Sequence, residues 1–224
     1  MSPKILSVLC CVSVAALASV ATADTALKVA PGVVHAGKVV PNDARNSPDA
    51  PYTVYNNFST DPLNLYNWLE GGYYVAGPTN PVLLQSQWMA LPFTTKAAPG
   101  QRARRADTAI GWISGVKSVR VRIYTDAGGV VGTPLAGQGA ATATAIPDLG
   151  VCCGVTTVNY PAPGPALAPN TAYWLVADST AAGSDTLCAW QSTYFYNIGG
   201  NVANGGWFTF SALVPAAKIT GTVP

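Results

Sequence analysis

Between Ser118 and Thr125 apolar and polar side chains alternate without a break, Val119, Val121 and Ile123 against Arg120, Arg122 and Tyr124. A period of two is that of a β-strand with one face buried and one wet. Asp126-Ala-Gly-Gly129 follows, a short carboxylate that can bond the turn backbone and glycines free to take φ > 0. Strand then tight turn is the grammar of an antiparallel sheet, and the chain repeats it. Apolar-aromatic runs separated by Gly, Pro and Asn predict strands centred on residues 52–58, 72–75, 82–89, 109–113, 118–125, 155–160, 173–177, 187–192, 206–210 and 217–220. Short strands at this spacing predict an all-β fold, an antiparallel β-sandwich of jelly-roll type. Residues 63–70 predict a helical turn or two at most, and 161–170, rich in Pro and Ala, read as a loop.

The chain before residue 51 has a different texture. Lys4 forms a short positive region, residues 5–20 are apolar or small, and Ala21-Thr-Ala23 is a small-x-small motif. This is the pattern of a secretory signal over residues 1–23, cleaved before Asp24, and it predicts export. Cys10 and Cys11 lie inside that apolar run and read as signal residues. Residues 24–50 show little periodicity and read as an extended leader, leaving 51–224 as one sandwich domain. Removal of Lys4 takes the formal charge from +2 to +1, so nothing points to nucleic acid or an anionic surface. Glu70 is the only Glu, and abundant Gly, Pro, Thr and Val is poor material for helices. No membrane contact is expected after signal cleavage.

Four segments together resemble the exported bacterial domains called choice-of-anchor R proteins. They are Val54-Tyr-Asn-Asn-Phe-Ser59, Gly71-Gly-Tyr-Tyr-Val-Ala-Gly77, Val121-Arg-Ile-Tyr-Thr-Asp-Ala-Gly-Gly129 and Leu167-Ala-Pro-Asn-Thr-Ala-Tyr-Trp-Leu-Val-Ala177. The resemblance covers most of residues 52–220 and implies an exported sandwich, while saying almost nothing about activity. Members carry a C-terminal sorting tail. This chain ends in Ile219-Thr-Gly-Thr-Val-Pro224 without an apolar helix or basic stop, from which a released or non-covalently held form is expected.

Catalytic machinery is thin. The one histidine, His35, sits in the leader, so a Ser-His-Asp or Cys-His arrangement would need that segment folded back on the domain. Gly32-Val-Val-His-Ala-Gly37-Lys38 mimics a phosphate-binding loop, but Val39 stands where Ser or Thr must reach magnesium. Gly111-Trp-Ile-Ser114-Gly115 is one residue out of register for a nucleophile elbow. Glycoside hydrolysis needs only two carboxylates. Asp61, Glu70, Asp126, Asp178 and Asp185 are the candidates, although Asp126 and Asp178 each end a strand, where Asp commonly serves the turn. No cofactor is expected; a structural Ca²⁺ on Asp, Asn and carbonyl oxygens stays open, without a dense D-x-D-x-D-G loop to hold it.

After signal removal Cys152, Cys153 and Cys188 remain, an odd number for an oxidising compartment. On a regular strand Cys153 shares a face with Val151 and Val155, which favours a Cys153–Cys188 bridge. A vicinal Cys152–Cys153 disulfide with Cys188 buried as a thiol is the alternative. Arg102-Ala-Arg104-Arg105 reads as a solvated loop and, in an export route, as a processing site. Asn57-Phe-Ser59 is a glycosylation sequon whose place in a strand argues against use.

Aromatic residues are the strongest pointer to a ligand. Trp190, Tyr194 and Tyr196 cluster before a glycine pair and Trp207 follows the next glycine-rich loop, whereas Trp174 lies in an apolar run and reads as core. Flat, amphipathic rings of this kind stack on sugars. The sequence therefore predicts an exported, non-catalytic module binding a glycan or another cell-surface component through Trp190, Tyr194, Tyr196 and Trp207, its oligomeric state open. A carbohydrate-active enzyme with paired carboxylates and a structural matrix protein are the alternatives.

Overall fold

A computed structural model describes residues 52–150, 152–179, 185–203 and 206–223, and of residues 195–203 the backbone alone. The expected signal, leader, His35 and the phosphate-loop mimic lie outside these. The strands are β1 (Tyr52–Asn56), β2 (Asn67–Ala76), β3 (Trp88–Thr94), β4 (Gln101–Thr108), β5 (Ile110–Ser114), β6 (Val119–Asp126) and β7 (Val131–Pro134). They continue as β8 (Thr142–Ala143), β9 (Thr156–Asn159), β10 (Ala166–Leu167), β11 (Ala172–Asp178), β12 (Leu187–Ala203), β13 (Gly206–Pro215) and β14 (Ala217–Thr222). One sheet runs β1-β14-β4-β10, with β9 also on β4. The larger runs β13-β12-β3-β11-β6-β7, with β2 and β5 on β12 and β8 on β6. All of the strand pairings are antiparallel, and the chain passes repeatedly from sheet to sheet, forming the jelly-roll-like sandwich that the strand spacing predicts.

The two inner faces meet in one core. Val54, Ala103, Ala106, Val158, Leu167 and Ile219 come from the smaller sheet, and Val75, Leu91, Ile110, Val121, Ile123, Leu175 and Trp190 from the larger. The alternation in β6 is realised as read, with Val119, Val121 and Ile123 turned inward. The turn after it is also as read: Asp126 accepts from the N–H groups of Gly128 and Gly129, both at positive φ. Gly72 has a different reason to be glycine, because a Cβ there would stand 2.5 Å from the Trp190 carbonyl oxygen.

Three local expectations are corrected. The basic run is a strand, not a loop: Arg102, Arg104 and Arg105 lie in β4, between β14 and β9. A register shift opposite Thr220 and Gly221 moves the inward positions from Ala103 to Ala106, so two consecutive arginines face away from the core. Residues 81–86 form turns rather than strand because the Asn80 side chain accepts from the N–H groups of Val82 and Leu83. Asp61 similarly caps Leu63 N–H at 2.9 Å, and the chain enters β2 at Asn67 without helix.

Trp190 is buried completely in this core and donates its indole N–H to the Ala216 carbonyl at 2.9 Å. Trp190→Ala is expected to cost about 3–5 kcal/mol in denaturant unfolding through the cavity it opens.

Candidate functional site

The outer face of the larger sheet differs from the wet surface that alternation alone implies. Register aligns Ala90, Val176 and Arg122 in one row across β3, β11 and β6, and Pro92, Trp174 and Tyr124 in the next. Asp178 and Arg120 form the row at the other side. Ala90, Val176, Trp174 and Tyr124 are all buried there as a second apolar cluster, with Trp88 and Trp207 packed against it. Strand β11 accordingly has apolar neighbours on both faces, which explains its unbroken apolar run.

Trp88 and Trp207 are brought together by sheet register. Both sit opposite Val202 of β12, one on β3 and one on β13, and their rings meet edge to face at 6.2 Å and 68°. Each is partly exposed. The Trp88 indole N–H is buried and, among the described residues, has no hydrogen-bond partner.

Beside this pair lies a buried charge network. Asp178 has no exposed surface, yet Arg120 grips it through Nε at 3.1 Å and Nη2 at 2.8 Å, and Arg122 Nη2 stands 3.5 Å away. A carboxylate can stay charged without water only with such partners. Arg122 also donates to the Tyr124 hydroxyl at 2.6 Å and lies over its ring, and its own buried Nε has no hydrogen-bond partner among the described residues. Burial raises the Tyr124 phenol above its ordinary pKa, with the Arg122 charge working against the shift. The face thus offers aromatic edges, with the buried N–H groups of Trp88 and Arg122 beneath them, beside two guanidinium groups on one carboxylate.

The carboxylates proposed for hydrolysis do not converge here. Asp178 is committed to its arginines. Asp126 serves its turn and accepts from the Trp174 indole at 2.8 Å; the Gly129 N–H bond, ahead of the Trp174 and Gly128 bonds, holds its carboxyl below the ordinary value. Asp178 faces Arg120, six residues before Asp126 on β6, so the two are separated by roughly 20 Å at 3.3 Å per residue. A glycosidase pair works at about 5–9.5 Å. Asp185 accepts from Val116 N–H, and Asp61 from Leu63 N–H and the Asn64 amide. Among the described residues no group of three or more His, Cys, Asp or Glu is placed to hold a metal ion.

The four aromatics expected to bind ligand are not assembled together. Trp190 is corrected to core: it is fully buried with its N–H used inside. Tyr194 is 43% exposed but reaches the Tyr66 carbonyl, at the turn following Asp61. The Tyr196 side chain lies outside the described residues. Of the three whose side chains are described, Trp207 alone joins the outer-face cluster, and the other residues of that face, Trp88, Arg120, Arg122 and Tyr124, are not singled out as ligand residues by the sequence. The signal that could have found them is the polar phase of β6 itself, two arginines and a tyrosine on one face.

The Cys153–Cys188 bridge is likewise corrected. Cys152 and Cys153 form the disulfide, and Cys188 is a buried thiol inside β12, held between β2 and β5 by pairing with Val75 and Trp112. Cys153 instead lies at the 61–66 turn, where its sulfur accepts from Leu65 N–H. Burial pushes the Cys188 thiol up to about 12. Comparison of the chain with protein-family models, curated proteins and solved structures gives no match.

Non-reducing peptide mapping is expected to return a Cys152–Cys153 linked peptide and a free Cys188 that alkylates only after denaturation. Asp178→Ala removes the buried carboxylate that Arg120 and Arg122 share and is expected to cost about 3–5 kcal/mol, read from the unfolding midpoint.

Proposed function

We propose that this protein is an exported, non-catalytic β-sandwich module that binds a glycan on the outer face of its larger sheet. The observation that carries the reading is the partly exposed Trp88–Trp207 pair, two indole rings meeting edge to face on that sheet. Sugars present C–H faces that stack on aromatic rings of this kind. The signal pattern of residues 1–23 and the resemblance to exported choice-of-anchor domains support a place at or outside the cell surface. Dispersal of the carboxylates favours binding over hydrolysis.

Retention on a panel of soluble and insoluble polysaccharides tests the proposal. The mature chain should be retained, and Trp88→Ala and Trp207→Ala should each weaken binding about 2- to 12-fold, the worth of one aromatic contact of 0.5–1.5 kcal/mol. Thermal melts of both variants report whether the sandwich is intact. No retention of the wild type, or unchanged affinity in both variants, would overturn the reading.

A further inference from the structure

Every open sheet must manage its edges, because unpaired N–H and C=O groups are a template for another strand. Most edges of this sandwich are blunted. Strand β10 has two residues, β7 has four and ends in Pro134, and β1 is interrupted by a register shift between Thr53 and Tyr55. Strand β2 carries Glu70 and the positive-φ Gly71, and β5 is covered by backbone bonds from Trp112 to Pro147 and Leu149.

Strand β13 has none of these devices. It runs ten residues, Gly206-Trp-Phe-Thr-Phe-Ser-Ala-Leu-Val-Pro215, without a charge and with proline only at its last position. It ends the larger sheet, pairing with β12 on one side and, among the described residues, with no strand on the other. Its last turn is occupied: the Leu213 carbonyl accepts from the Tyr73 hydroxyl and the Pro215 carbonyl from the Asn57 amide. The open stretch is Gly206 to Ala212, where Phe208, Thr209 and Ser211 are exposed and the Phe208 ring is 40% accessible.

We infer that this edge is the seam of a two-fold dimer, in which a second copy adds its own β13 antiparallel and joins the two larger sheets into one. The occupant follows from the strand's own sequence. An antiparallel pair centred on Thr209, the midpoint of the open stretch, places Phe208 of each copy opposite Phe210 of the other. That register forms two cross-strand aromatic pairs and covers the exposed Phe208 ring. No charge on either strand is desolvated, which is the cost that normally keeps edges apart. Trp207 falls opposite Ser211 of the second copy, so both outer-face aromatic pairs lie beside the seam on the same face of the joined sheet. The inference does not depend on what that face binds.

Sedimentation of the mature chain over a concentration series tests it, together with Phe208→Lys and Thr209→Lys, which place charge on exposed positions of the edge. The wild type should be a dimer in reversible equilibrium, and each lysine should weaken association at least about tenfold. Thr209→Cys, oxidised under mild conditions, should cross-link to itself, whereas Thr133→Cys on exposed β7 should not. Circular dichroism and melting confirm that each variant is folded. A wild type monomeric at every concentration, a dimer indifferent to both lysines, or a Thr209→Cys that fails to cross-link more than Thr133→Cys would overturn the inference.

Discussion

The sandwich depends on how β12 is held. Its first half is hydrogen-bonded between β2 and β5, its second half between β3 and β13, so four strands take their places from one. Trp190 sits in the first half, fills the space between sheets and donates to the Ala216 carbonyl just before β14 enters the other sheet. The Ala216 N–H in turn bonds the Gln191 carbonyl. Large apolar burial and satisfied backbone groups are thus concentrated where the two sheets are joined, and Gly72 is needed because the Trp190 backbone comes so close. A bulky residue is tolerated there only because its one polar atom has a partner.

The outer face follows from the same strand. Because the second half of β12 lies between β3 and β13, Trp88 and Trp207 are brought to either side of Val202. Farther along the face, Asp178 is gripped by Arg120 and Arg122, whose aliphatic stems stand on the outward phase of β6. An isolated carboxylate in that position would be far more costly than the paired one. The face is therefore a packed layer that stays partly exposed at Trp88 and Trp207.

Several of these features were legible along the chain. Alternation gave β6 and its Asp126 turn correctly, and the unbroken apolar run of Ala172–Ala177 marked a strand buried on both faces. Strand β4 was hidden because its inward residues are Ala103, Ala106 and Thr108, small or polar, and because a register shift breaks their period. The turns at 81–86 were hidden by their own apolar residues, since Val82 and Leu84 are exposed and the Asn80 cap decides the backbone. Trp190 and Trp207 look alike as aromatic residues in strands; only their faces separate core from surface.

Cysteine illustrates the division most sharply. Composition puts three cysteines in residues 51–224 but contains no information on which pair meets, because that depends on distance between segments. Burial of Cys188 between β2 and β5, and the position of Cys153 at the 61–66 turn, decided it. Local order of period two and turn chemistry follow from residues a few positions apart, and the sequence by itself determined those. The meeting of Trp88 with Trp207, the burial of Asp178 beneath two arginines and the open edge of β13 join residues far apart in the chain. Only tertiary structure could decide them, since strand order and register, rather than neighbouring residues, place side chains on a common face.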